Sequence, residues 1–181
     1  MQLYYKDNNE MKIPKLLIVG MGRHGKDTVA EILRDRCGME FSSSSFAAYE
    51  IFIYDLFKEK YGYTSIEEAY EDRHNHREEL FKLIQDYNSE DRTRLARGIV
   101  NSTGMYVGMR CALEVEACIE KAVFDLIIWV DASERIDYVE PSSSISVTKE
   151  HADIVLTNNG TLEQLEAKVV KLADAIGLYV R

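Results

Sequence analysis

Positive charge is scarce in this chain: 22 lysines and arginines stand against 31 aspartates and glutamates, a net charge of −9. A surface built for a nucleic-acid duplex needs clustered positive charge, so the balance speaks against DNA or RNA as a partner. A small anionic ligand stays open, because a local pocket of Arg and Lys suffices for it. Cysteine is scarce too. Cys37, Cys111 and Cys118 show no C-x-x-C spacing, and an odd count suits reduced thiols in a cytosol better than a disulfide framework. They read as small buried apolar residues. Apolar runs fall far short of a membrane span, and the opening Met1–Asp7 lacks the basic and apolar regions of a signal peptide. The expectation is a cytoplasmic protein with no membrane partner. The histidines make no metal site, since His74 and His76 lie two apart and would point different ways on a helix. No Ser-His-Asp or paired-carboxylate hydrolase pattern stands out, no internal repeat is present, and Ser42–Ser45 is the only hint of low complexity.

What is present is decisive in one place. Residues 16–28 read Leu-Leu-Ile-Val-Gly-Met-Gly-Arg-His-Gly-Lys-Asp-Thr. An apolar run fit for a buried strand stops at Gly20; four residues intervene; then come Gly25-Lys26 and a helical pattern. This is the G-x-x-x-x-G-K phosphate-binding loop with a strand before it and a helix after it. Its glycines let successive backbone N–H groups converge on a polyphosphate. The helix beginning near Asp27 turns its positive dipole end on the same anion, and Lys26 adds a full charge where β- and γ-phosphates would lie. The competing reading is a glycine-rich turn that merely joins strand to helix. The expected ligand contacts span Gly20, Gly22, Arg23, His24, Gly25, Lys26, Asp27 and Thr28. His24 counts through its backbone, its side chain being incidental to binding.

The 181-residue chain as a whole reads as one domain, 46% hydrophobic and 29% charged. Residues 1–12 form a polar lead-in. Strands are expected at Lys15–Val19, Met39–Ser42, Met105–Met109, Asp125–Asp131 and Ala152–Thr157. The helix after the loop carries Val29, Ile32 and Leu33 on one face and stops near Cys37-Gly38. A helical region spans 46–101, with Ala48, Ile51, Phe52 and Leu56 on one stripe, Leu80, Leu83, Ile84 and Tyr87 on another, and Leu95, Ala96, Ile99 and Val100 on a third. Ser65-Ile66-Glu67-Glu68 and Thr161-Leu162-Glu163-Gln164 have the form of capping boxes. Leu113–Val123 forms a helix, and Leu162, Leu165, Val169, Leu172 and Ile176 share the face of a final one. Strands alternating with helices predict a parallel α/β sheet with right-handed crossovers, and the 46–101 stretch an insertion over the carboxyl edge where ligands of such sheets bind.

At this point the residues resemble the nucleoside monophosphate kinase group of phosphate-loop proteins, and within it the bacteriophage-type deoxynucleoside monophosphate kinases. Gly20–Thr28 has the Gly-Lys-Asp-Thr ending of the phage group. Gly108-Met109-Arg110 with Glu114 is similar to the adenylate kinase element Gly-Phe-Pro-Arg followed four residues later by a base-reading Gln. Ile128-Trp-Val-Asp-Ala-Ser-Glu-Arg135-Ile resembles the fourth strand leading to an arginine-bearing lid, here residues 133–150. Ala152–Thr161 resembles the last strand and the loop beside adenine, which brings in Asn159 and Gly160. The resemblance implies a P-loop kinase three-layer fold whose five-stranded parallel sheet runs in the order 2-3-1-4-5. It also implies ATP and Mg²⁺ as cofactors, a nucleoside monophosphate as the small-molecule partner, and a homodimer as the oligomer to consider. The chain departs from the pattern twice. Tyr106 stands where adenylate kinases carry a magnesium-organising Asp, and Asp27 replaces the usual Ser/Thr after the loop lysine. Asp27 is therefore the candidate metal residue, ordering magnesium waters, against a plain helix-start carboxylate favoured by the dipole.

Phosphoryl transfer needs two phosphates held in line, water excluded, and charge neutralised by Lys, Arg and Mg²⁺. Lys26, Arg110 and Arg135 are the catalytic candidates. Arg110, at a strand end on the binding edge, would grip the acceptor's phosphate, and Arg135 would neutralise donor phosphates. Arg73 and Arg77, at i and i+4, would share a helical face and either close on phosphates or stay solvated. Arg92, Arg94 and Arg97 read as a solvated face, with one of the three in a position to reach the acceptor. Glu114 offers only acceptors, which suits guanine's adjacent N1–H and amine donors and favours dGMP, with dTMP second. The rival readings are a P-loop kinase of another small acceptor, similar to dephospho-CoA kinase, and a non-catalytic nucleotide switch. No Asn-Lys-x-Asp guanine-reading motif supports a GTPase.

Overall fold

The computed structural model of the chain describes residues 13–141 and 145–181; the polar lead-in 1–12 lies outside them. Five strands, β1 (Leu16–Val19), β2 (Glu40–Ser43), β3 (Gly104–Val107), β4 (Leu126–Asp131) and β5 (Ile154–Thr157), form one sheet in the order β2-β3-β1-β4-β5. Every pairing is parallel, with Leu16 opposite Met105 and Leu126, and Asp131 opposite Thr157. This is the expected P-loop kinase three-layer order. Each strand begins or ends within two residues of its sequence-based limits.

Because side chains alternate across a strand, β1 feeds two cores. Leu16 and Ile18, with Met105, Ile128 and Val130, pack under α1 (Lys26–Cys37) and α8 (Leu162–Ala175). Leu17 and Val19, with Tyr106, Ile127 and Trp129, pack under the helices joining β2 to β3 and under α7 (Ala112–Glu120). Central β1, apolar and buried at all four positions, fits a sheet covered on both faces.

The connection from β2 to β3 is helical as expected: α2 (Ser44–Ala48), α3 (Tyr54–Tyr61), α4 (Ile66–Glu71), α5 (Arg77–Tyr87) and α6 (Arg94–Thr103). Its first stripe needs correction. The buried residues are Ala48, Tyr49, Ile53 and Phe57, while Ile51 and Leu56 are 41% and 48% exposed. Residues Tyr49–Ile53 form a π turn. Its wider i→i+5 winding rotates the following helix by about one residue, so a stripe counted at α-helical spacing lands on the wrong face. The capping box at α8 is complete, Thr161 Oγ1 accepting from the Gln164 N–H and Gln164 Oε1 from that of Thr161. The one at α4 is half-formed: Ser65 Oγ accepts from the Glu68 N–H at 3.1 Å, but the Glu68 carboxylate turns to the N–H and hydroxyl of Thr64.

Cys37, Cys111 and Cys118 are free thiols, and burial pushes Cys118 up to about 12, which makes it inert. Among the described residues no helix is long and apolar enough to cross a membrane.

Candidate active site

β1 and β4 lie side by side, and their carboxyl ends deliver the loop 20–25 and the segment after Asp131 to one place. At Gly20 a Cβ would stand 2.5 Å from the Val130 carbonyl oxygen, so only glycine lets the chain leave β1 there. Gly25 is left-handed (φ 93°) and touches Asn158: a Cβ would lie 2.5 Å from its Nδ2. Between them Arg23 also adopts a left-handed conformation (φ 67°), a local strain of the kind held at functional turns. Gly25 supplies no side chain to cap α1, so the first N–H groups of that helix are not claimed by a capping side chain and remain suited to an anion.

Three contacts fix the loop. His24 is 4% exposed, and its Nδ1 accepts from the Ala132 N–H at 3.1 Å, which places the ring proton on Nε2. Asn158 donates through Nδ2 to the His24 carbonyl at 2.9 Å. The Asn158 backbone N–H in turn donates to the Asp131 carbonyl at 2.6 Å, extending the β4–β5 ladder. The His24 side chain, expected to be incidental, is thus a buried staple between loop and β4. Asn158 is a loop-holding residue that sequence reasoning passed over in favour of its neighbour. A polar residue just beyond a strand end was the available signal. Asn159 keeps a buried Oδ1 without a partner among the described residues. A Cβ on Gly160 would stand 1.8 Å from Gln164 Oε1, so glycine there makes room for the α8 capping box.

Lys26 folds back, Nζ donating to the Met21 carbonyl at 2.8 Å. Burial holds its pKa below the ordinary lysine value; Asp27 and Glu140 oppose that shift and Arg110 adds to it. Asp27 is exposed and Thr28 half-buried in the first turn of α1. Tyr106 is buried in the core beneath β3, and burial raises its pKa strongly, so no charge stands at that position.

Arg110 follows β3 and reaches the loop through one residue, Glu140, that no local pattern singles out. Glu140 Oε1 accepts from Arg110 Nη1 at 2.6 Å, and Glu140 Oε2 accepts from the Gly22 N–H at 2.6 Å. Burial pushes the Glu140 pKa up, but Arg110, the Gly22 N–H and Lys26 together outweigh it and leave the carboxyl below its usual range. Nothing in spacing or composition marks this residue within a polar stretch. The expected lid 133–150 also changes character along its length. Arg135 is exposed and donates through Nε to the Asn158 carbonyl at 3.2 Å, beside the loop. Ile145 and Val147, however, are core residues, and the N–H groups of Ser146 and Val147 donate to the Arg110 carbonyl. That end is part of the packed body because its apolar side chains are buried.

No family model matches the chain, and no curated protein does. Among solved structures it is similar to an unliganded sugar kinase from Janibacter sp. HTCC2649, at 13% identity and TM-score 0.42 over 88% of this chain and 93% of that one. It is similar to shikimate kinase from Aquifex aeolicus, at 17% and 0.42 over 90% and 98%. The protein TT1252 from Thermus thermophilus matches at 19% and 0.49 over 92% and 99%. At such identities a substrate has to be read from the site itself.

Glu114 on α7 is half-buried and its Oε1 accepts from Asn88 Nδ2 at 2.8 Å. Asn88 is 5% exposed and its Oδ1 accepts from the Leu95 N–H, so the amide is fixed and its donor aimed at Glu114. Burial raises the Glu114 pKa; the Asn88 hydrogen bond and the charge of Arg92 oppose it. Of the trio 92, 94 and 97, Arg97 pairs with Asp91 at 2.6 Å and Arg94 lies over the Tyr87 ring, which leaves Arg92 as the one near Glu114. The pairing of Arg73 with Arg77 needs correction. Residues 72–76 form a 3-10 turn, which breaks the i, i+4 register. Arg73 lies over the Tyr70 ring and donates to the Tyr70 carbonyl, while Arg77 lies near His74 Nδ1 at 3.2 Å.

A cavity of about 270 Å³ flanks the loop, lined among others by Met21, His24, Trp129, Asp131 and Lys149. Another, of about 320 Å³, opens at the amino ends of the strands around Lys15, Met39 and Gly104. The second is remote from the loop, and parallel sheets bind ligands at the opposite end.

Proposed function

We propose that this chain is an ATP-dependent kinase that phosphorylates a nucleoside or deoxynucleoside monophosphate, with dGMP or GMP favoured and dTMP second. The observation that carries the reading is the bridge at Glu140. One carboxylate meets a loop N–H and the Arg110 guanidinium, both at 2.6 Å. Backbone N–H groups and arginine both bind phosphate, and a carboxylate is a flat stand-in for it. A donor cradle and an acceptor clamp within one carboxylate's width of each other suit a group passed from one to the other.

The residues fit a triphosphate donor. Gly20, Gly22 and Gly25 shape the cradle, the start of α1 has no capping side chain, Lys26 lies within reach of the Glu140 and Arg110 charges, and Asn159 Oδ1 is an unpaired acceptor in the loop assigned to adenine. Mg²⁺, when bound, would supply positive charge against the donor phosphates, and Asp27 is the residue that would order its waters. Among the described residues no three His, Cys, Asp or Glu side chains converge, so such a cation would lean on the phosphates and one carboxylate. In turnover Lys26 and Arg135 stabilise charge on the donor, and Arg110 holds the acceptor phosphate in line. Glu114 is the base reader. Its burial makes a bare carboxylate costly, and the adjacent N1–H and amine of guanine would satisfy it beside the Asn88 donor. A coupled ADP-release assay across a panel of nucleoside monophosphates tests the proposal. ADP release unchanged by any monophosphate would refute it, and a preference for dAMP over dGMP would remove Glu114 as base reader.

A further inference from the structure

Glu140 sits where a phosphate would have to go. Its side chain is 10% exposed, held by Gly22 on one oxygen and Arg110 on the other. The position that a Cβ on Gly22 would occupy lies 3.2–3.4 Å from the carboxylate, so the glycine admits it. Arg23 lies over the ring of Tyr138, 5.2 Å from its centroid, which brings the stretch leading to Glu140 along the loop. Lys26 meanwhile is turned onto the Met21 carbonyl. Phosphate oxygens cannot share the Gly22 N–H with an ionised carboxylate, since both are acceptors and both are negative. A polyphosphate entering the cradle must therefore expel Glu140, and the same movement breaks its ion pair with Arg110.

We infer that Glu140 is an internal competitor for the donor phosphates that couples the two substrate sites: donor binding breaks the Glu140–Arg110 ion pair that competes with the acceptor phosphate, and acceptor binding draws Glu140 away from the Gly22 N–H that the donor needs. The inference rests on reading the loop as the donor site and Arg110 as the acceptor clamp. Thermodynamic linkage makes the effect reciprocal, each ligand tightening the other by the same factor. If the carboxylate fills the cradle nine-tenths of the time, apparent donor affinity is lowered on the order of tenfold.

The test is calorimetry on the full chain as wild type, Glu140→Gln, Glu140→Ala and Lys26→Ala, with inorganic tripolyphosphate, ADP and dGMP as probes. Glutamine keeps the size and can still accept from Gly22 without the charge; alanine removes the group; circular dichroism reports that each variant is folded. Both Glu140 variants should bind tripolyphosphate on the order of tenfold more tightly than wild type. In wild type, saturating ADP should tighten dGMP several-fold, and that synergy should vanish in both variants. Equal tripolyphosphate affinity in wild type and both variants overturns the inference, as does synergy that survives in them, while the kinase reading stands. Tighter tripolyphosphate without any dGMP binding supports the carboxylate's place in the cradle and removes the nucleotide acceptor. Tripolyphosphate binding by none of the proteins, or equally by Lys26→Ala, overturns both.

Discussion

Asn158 offers the sharpest measure of how the loop is held. Its Nδ2 makes a 2.9 Å hydrogen bond to the His24 carbonyl in a buried setting, while its backbone N–H and carbonyl are engaged separately with Asp131 and Arg135. Asn158→Ala deletes the first bond and spares the other two. The His24 carbonyl is then buried without a partner, at a cost of about 1–3 kcal/mol. In a domain of this size each kcal/mol lowers Tm by roughly 2–4 °C, so the variant should melt roughly 2–12 °C lower. Asn158→Asp should be worse than alanine, because it turns a carboxylate towards a carbonyl oxygen. Thermal unfolding followed by circular dichroism gives the order wild type, Ala, Asp. The same variants should show a smaller ADP-induced rise in Tm, since a loop that has lost its fastening spends less time in the binding conformation. An alanine variant with wild-type Tm and an undiminished ADP shift would refute the reasoning, as would an aspartate variant as stable as alanine.

Three further outcomes are expected. Lys26→Ala should lose phosphotransfer by several orders of magnitude with its fold retained, because the full positive charge that the loop brings to the donor phosphates is gone; near-normal turnover in a coupled assay would exclude the loop as the donor site. Arg110→Ala should chiefly raise KM for the monophosphate and Arg135→Ala chiefly lower kcat, since a ground-state clamp and a transition-state charge leave different kinetic signatures; small and equal effects would make both surface residues. Glu114→Gln should widen base choice and raise Tm at neutral pH. Burial holds the Glu114 pKa above its unfolded value, so the folded chain binds the extra proton and wild-type stability falls as pH rises from about 4.3 through the folded pKa. The gain from glutamine should shrink to nothing below about pH 4, and a gain independent of pH would mean that Glu114 is not the titrating group.

How far the sequence reached depended on how local the cause was. The loop was legible because strand, glycines, lysine and helix are contiguous, and each residue type has a backbone or charge requirement at a fixed offset. The central strands were legible because a doubly covered sheet favours unbroken apolar runs such as Leu16–Val19 and Leu126–Val130, and the α8 capping box because its two bonds span three residues. The π turn at Tyr49–Ile53 was not, since one extra residue per turn leaves no mark in composition yet moves Ile51 and Leu56 to the surface. Nor was the separation of Arg73 from Arg77, which a 3-10 turn decides. The fastening of the loop by His24 and Asn158, 134 residues apart, and the bridge from Gly22 through Glu140 to Arg110 exist only because β1, β3 and β4 end at the same edge of the sheet. Hydrogen bonds of that span follow from strand order and register rather than from spacing along the chain. The phosphate-loop motif was therefore legible along the chain, and the long-range contacts that fasten it were decided by the fold.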